Sequence, residues 1–195
     1  MQDQRRQYRY TPYFCEENIW WLGRALRDED ISLSAMSVWL FSNAGASIAL
    51  LNQRAAPDGG MMAWDYHVVL VAERTGRRQV FDFDTRLNFP SLASDYLAES
   101  FPPQRQLPAK WRAWVREIPA VAYLSRLYSD RRHMQGHLPV SAFPDYPVIR
   151  PSALRMAIPL AHYRDMTRDL GDGSVVMPVD HLLDHERRLD GTSLQ

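Results

Sequence analysis

Apolar and polar positions along the chain mark out a small set of elements. Residues 1–9 are polar and read as a loose lead-in. From Cys15 to about residue 27, Ile19, Leu22 and Leu26 recur at helical spacing. Glu16, Glu17 and Asn18 fall in the first turn, where acidic side chains favour the helix dipole. Trp20 and Trp21 cannot both face one core, so one is expected on a cleft wall. Residues 38–41 and 47–51 read as strands around an Asn43-Ala44-Gly45 turn, and residues 57–60 as a loop. The strongest strand signal covers residues 64–71, and Thr75-Gly76-Arg77 turns it into residues 79–84. A short helix follows over residues 92–101. Residues 110–118 are ambiguous between helix and strand, and Pro119 opens a helix through residue 128. Residues 139–151 are a proline-rich loop, residues 174–176 a short extended piece, and Pro178 starts a helix to about residue 186. No repeat or linker interrupts this, so residues 10–186 are expected to form one domain, with a polar tail over 187–195.

The hairpin carries a geometric consequence. With its turn centred near residues 74–75, His67 is expected opposite Asp82, and Asp65 opposite Asp84. Directly opposed side chains have Cβ atoms about 5 Å apart, within hydrogen-bonding reach for an imidazole and a carboxylate. Alternation places Asp65, His67, Val69 and Val71 on one face with Asp82 and Asp84. A slip of one residue would separate them.

Charge and cysteine content narrow the function classes. Lys+Arg and Asp+Glu are both 23, so no net field draws the chain to nucleic acid or to an anionic membrane. No apolar run is long enough to span a bilayer, and the first residues lack the apolar core of a signal peptide. A cytoplasmic monomer is expected. Cys15 is the sole cysteine, so it forms no internal disulfide and is either a small core residue or a nucleophile. Its position at a helix start shifts the balance toward the second role, because unsatisfied backbone N–H groups stabilise a thiolate and a developing oxyanion. The neighbouring carboxylates oppose that shift, so position alone leaves both roles open. His181 and His185 are four apart but lack a third ligand, so neither a metal nor a cofactor is expected.

A thiol nucleophile needs a base, and the base needs an orienting partner. Cys15, His67 and Asp82 make such a set. Asp84 is the rival orienter, and Asp65 is better suited to binding substrate.

Five segments then resemble a known family, the protein N-terminal glutamine amidohydrolases. They are Tyr13-Phe14-Cys15-Glu16-Glu17-Asn18-Ile19-Trp20, Trp64-Asp65-Tyr66-His67-Val68-Val69-Leu70, Phe81-Asp82-Phe83-Asp84-Thr85 with Phe89-Pro90, Ser129-Asp130-Arg131-Arg132-His133-Met134, and Pro144-Asp145-Tyr146-Pro147. The resemblance implies an α+β fold of the papain-like, transglutaminase-like kind, a nucleophile helix packed on an antiparallel sheet. It implies Cys15, His67 and Asp82 as the catalytic triad. It also implies deamidation of an N-terminal glutamine side chain on a protein or peptide, through a γ-glutamyl thioester, without a cofactor. In eukaryotes that product feeds arginylation and degradation. The free α-amine needs a reader, for which Asp65 and Glu16 are candidates. Trp20, Trp64 and Tyr66 are candidates to line the pocket, and Ser129, Asp130 and Arg131 to brace the cleft or bind substrate backbone. The alternatives are another papain-like thiol hydrolase (peptidase, transglutaminase or internal-glutamine deamidase) or a non-catalytic binding module.

Overall fold

Residues 66–72 form an almost unbroken buried run, which requires cover on both faces of the strand they build. The computed structural model, which describes residues 4–29, 31–43, 47–57 and 60–192, supplies that cover. Helix α1 (Cys15–Asp28) comes first, followed by strands β1 (Met36–Ser42), β2 (Ile48–Leu50) and β3 (Met62–Trp64), then the hairpin β4 (Tyr66–Arg74) and β5 (Arg77–Phe81). Strand β6 (Ser91–Leu92) runs into α2 (Ala93–Ser100), and β7 (Trp114–Pro119) into α3 (Ala120–Arg126). Strands β8 (Leu127–Tyr128) and β9 (Ile158–Pro159), helix α4 (Leu160–Arg164), β10 (Val175–Pro178) and α5 (Val179–Thr192) complete the chain. The main sheet is antiparallel, in the order β10-β7-β1-β4-β5-β6.

Alternation along β4 splits the core in two. Tyr66, Val68, Leu70 and Ala72 join Ile19, Leu22 and Leu26 of α1 and Tyr123 of α3. Val69 and Val71 join Tyr96 and Leu97 of α2 and Val179 and Leu182 of α5 on the other face. The result is a mixed α/β fold with the Cys15 helix packed on an antiparallel sheet.

Several expectations are corrected. The hairpin turn is Thr75-Gly76, both with positive φ (52° and 73°), so Arg74 pairs with Arg77 and Leu70 with Phe81. This two-residue turn matches the twist of the flanking strands. It shifts the pairing by two residues, so Asp82 is not directly opposite His67 and Asp65 is not opposite Asp84. The shift preserves side-chain parity. The ambiguous 110–118 stretch is a one-turn helix at Ala109–Trp111 followed by β7.

The described part of the lead-in, residues 4–9, is fastened rather than loose. Arg5 donates to the carbonyls of Thr85 (3.0 Å) and Leu87 (2.6 Å). Helix α5 continues through the first part of the expected tail. The expected turn at Ala44 and Gly45, the loop at Asp58 and Gly59, and residues 193–195 lie outside the described residues. Among the described residues no helix is long and apolar enough to cross a membrane.

A buried arginine closes the sheet's β10 side. Arg116 of β7 donates to the carbonyls of Tyr163, Asp165 and Arg168 (3.1, 2.6 and 2.9 Å) and to Ser174 Oγ (2.9 Å), tying down the loop after α4. Arg116→Ala leaves several of these acceptors unpaired, at about 1–3 kcal/mol each where water cannot reach them. The expected outcome is a loss on the order of 3 kcal/mol in urea unfolding; a loss below about 1 kcal/mol would mean that solvent replaces the arginine.

Candidate active site

The approach to α1 is set by an amide clamp and a left-handed residue. Asn18 accepts from the Thr11 N–H and donates to the Thr11 carbonyl, both at 2.8 Å. Tyr13, with φ 72°, turns the chain so that Phe14 is buried while Tyr13 stays exposed at the cleft. The Phe14 carbonyl then accepts from the N–H groups of Glu17 (3.1 Å) and Asn18 (2.9 Å). No side chain caps the helix, and the Cys15 N–H has no acceptor among the described residues. The nucleophile candidate thus begins a helix whose first donor is unspent.

His67 lies at the start of β4, and Asp82 one residue past the end of β5. Imidazole Nε2 and Asp82 Oδ2 are 3.0 Å apart, both side chains 1% exposed. The approach is close but oblique, short of a well-directed hydrogen bond. Asp82 is held by two more donors: the Tyr96 hydroxyl to Oδ2 (2.9 Å) and the Asp84 N–H to Oδ1 (2.8 Å). The Trp64 indole stacks on the imidazole, centroids 6.0 Å apart. With Nε2 turned to Asp82, the other ring nitrogen is left for Cys15.

Burial opposes ionisation of Asp82, but the charge and contact of His67 outweigh it and hold the carboxyl below its ordinary range. Burial draws the imidazole down, and the Asp82 charge more than reverses this, so His67 holds its proton well above its usual range. Burial pushes the Cys15 thiol up, His67 opposes the rise, and Glu16 adds to it. Cys15 keeps part of its surface open to the cleft even though the atoms around it desolvate the sulfur.

The cleft measures about 300 Å³ and is lined by Tyr13, Cys15, Trp64, Asp65, Tyr66, His67, Asp84, His133 and Arg164, among others. Cys15 and His67 therefore open onto a shared space able to hold a side-chain amide, with Asp82 buried behind the imidazole.

The N-terminal glutamine amidase family model matches residues 10–185 of this sequence. The chain belongs to the N-terminal glutamine amidase family. It is similar to proteins named protein N-terminal glutamine amidohydrolase. That of Arabidopsis thaliana is 33% identical over 135 residues (66% of this chain, 61% of the relative), and that of Homo sapiens 35% identical over 128 residues (65% and 62%). The protein of Bos taurus is 32% identical over 171 residues (85% and 81%). The chain thus spans only about three fifths of the length of the plant and human relatives.

Within this family member, not every nominated residue meets the cleft. Trp64, Asp65 and Tyr66 line it. Trp20 does not: its Nε1 donates to the Leu124 carbonyl (3.0 Å), and Arg24 covers its ring. Asp130 accepts from Arg132 in a surface pair. Ser129 and Arg131 are buried, the Ser129 hydroxyl lying between Glu16 (3.1 Å) and Glu17 (2.9 Å) with its one proton to share, and Arg131 gripping Glu17 with two bonds of 2.8 Å. They brace the first turn of α1 from behind.

Glu16 is itself fully buried, accepting from the Tyr66 hydroxyl at 2.8 Å, with His133 Nε2 3.7 Å away. Tyr13, His133 and Arg164 were not singled out from the sequence. They reach the cleft through a backbone turn, a one-turn helix and α4, none of which has an apolar period that fixes a direction.

Burial pushes Glu16 up to about 7, against the Tyr66 bond and with the charge of Glu17 adding. A folded-state value above the unfolded one makes the folded chain bind the extra proton. That contribution is full below about pH 4.5 and is lost as pH rises through about 7. Relative to wild type, Glu16→Gln should therefore gain stability between pH 5 and 8, on the order of 2–3 kcal/mol, in urea midpoints taken along that range. A difference that stays flat with pH would show that Glu16 is ionised throughout.

Proposed function

We propose that the chain hydrolyses the side-chain amide of an N-terminal glutamine in a protein or peptide, giving N-terminal glutamate and ammonia. The observation that carries this reading is a cysteine at an uncapped helix start facing a buried imidazole–carboxylate pair, within a chain of this family. His67, whose proton affinity is raised by Asp82, takes the thiol proton of Cys15 or already holds it in a thiolate–imidazolium pair, and the sulfur attacks the carboxamide carbon. The Cys15 N–H, aligned with the helix dipole, stabilises the oxyanion. His67 protonates the departing ammonia and then deprotonates the water that cleaves the γ-glutamyl thioester. Asp82, itself fixed by Tyr96 and the Asp84 N–H, orients the imidazole and stabilises its charged form. Both carbon–nitrogen cleavage and thioester hydrolysis run on these residues alone, with no cofactor invoked.

The order Cys–His–Asp, with the nucleophile on a helix and the base on an antiparallel sheet, supports a papain-like, transglutaminase-like arrangement. A lone cysteine that must stay a free thiol suits a reducing compartment such as the cytoplasm.

Mass spectrometry on peptides starting with Gln, with acetyl-Gln, with Asn, and carrying Gln internally, tests the reading. The expected result is amide-to-acid conversion only at a free N-terminal Gln. Cys15→Ala should abolish it, and Asp82→Asn should lower kcat by roughly 10²- to 10⁴-fold. Conversion of internal Gln, or peptide-bond cleavage, would instead favour another thiol hydrolase.

A further inference from the structure

A deamidase restricted to free N-termini needs a group that reads the α-ammonium of its substrate. We infer that Asp84 is that group; the inference rests on the deamidase reading above. Asp84 lines the cleft with Cys15 and His67, and ligand atoms of His67, Asp82 and Asp84 lie within 4.8 Å of one another. Its position is fixed through the backbone, by its N–H to Asp82 Oδ1 (2.8 Å) and by its carbonyl accepting from the Arg54 N–H (2.7 Å). On the side chain, the Tyr10 hydroxyl donates to Oδ1 at 2.6 Å, and Oδ2 accepts no hydrogen bond among the described residues. A rigidly mounted carboxylate with one oxygen free of protein donors therefore lines the cleft. Burial and the neighbouring charge of Asp82 hold its carboxyl above the usual range although His67, Tyr10 and Arg54 oppose them, so the carboxylate still favours an added positive charge. A substrate ammonium supplies that charge through a charge-assisted hydrogen bond.

The other carboxylates fit the task less well. Asp65 is exposed, where an ion pair contributes little. Both oxygens of Glu16 are engaged by Tyr66 and Ser129, and Glu17 is paired with Arg131. The cationic lining residue, Arg164, sits over the Tyr66 ring at 4.6 Å and repels an ammonium from that part of the cleft.

Two fixed grips make a ruler. In an extended glutamine the α-nitrogen and the amide carbon are about 5 Å apart, and one methylene fewer shortens this by about 1.3 Å. An asparagine held at Asp84 then leaves its amide carbon out of the roughly 3–3.5 Å attack range of Cys15.

Binding measured by titration calorimetry in the Cys15→Ala chain tests the assignment without turnover. Three probes are used: a Gln-initiated peptide, the same peptide lacking the α-amine, and its N-acetyl form. Loss of the amine should weaken binding roughly 30- to 1,000-fold, and adding Asp84→Asn should erase most of that difference. Equal binding of the amine and des-amino peptides, or no binding of either, overturns the assignment without any substitution at Asp84, so a misfolded variant cannot shield it. A difference that persists in Asp84→Asn, or that disappears only in Asp65→Asn, overturns it as well. Failure of the wild-type chain to release ammonia would count against the reaction and leave the binding result to decide on Asp84.

Discussion

Two glutamates side by side at the start of α1, both withdrawn from water, impose the strongest constraint on this structure. Burying one carboxylate costs several kcal/mol unless it is paired, and burying two neighbours adds their repulsion. The fold meets this with an arginine fork on Glu17, a shared serine between the two, and a tyrosine hydroxyl on Glu16. Each partner comes from a distant part of the chain. Ser129 and Arg131 follow β8, and Tyr66 begins β4. Satisfying the acids therefore draws the second half of the chain around the first turn of α1. Tyr123 adds a bond to the Glu16 carbonyl at 2.9 Å from α3. The cleft is the space left on the open side of that turn.

This explains which parts of the site were legible in the sequence. The helix at Cys15 and the strand through His67 have strong apolar periods, so their existence and sidedness followed from spacing. The hairpin turn was placed one residue early, which moved every cross-strand partner by two. Because sides repeat every two residues, Asp82 stayed on the side of His67, and the bend after β5 brings it to 3.0 Å. Trp20 carried no such protection. Its neighbour Trp21 and Arg24 draw it into an edge-to-face and cation–π stack away from the cleft, contacts that helical spacing does not encode.

Ser129 and Arg131, expected to brace the cleft or bind substrate backbone, contact the two buried acids of α1. A serine and an arginine after a helix carry no spacing that reveals two buried acids on another helix. Tyr13, His133 and Arg164 sit on irregular backbone, where the direction of a side chain depends on single φ values rather than on a period. Family membership bears on this chain as a whole, from residue 10 to residue 185, while the local chemistry of the cleft follows from the contacts just described.

The sheet also acts as a partition. Cys15 arrives with the core on one side, packed with α1, α3 and the even positions of β4. Tyr96, which steadies Asp82, belongs to the core on the other side with α2 and α5. Sulfur and imidazole thus meet across a boundary, at the one end of the sheet where both halves are within reach. The candidate groups draw on both halves. The thiol's chemical reactivity is consequently a more demanding gauge of complete folding than helix or strand content, since a chain with one condensed half retains much of its secondary structure and has no site.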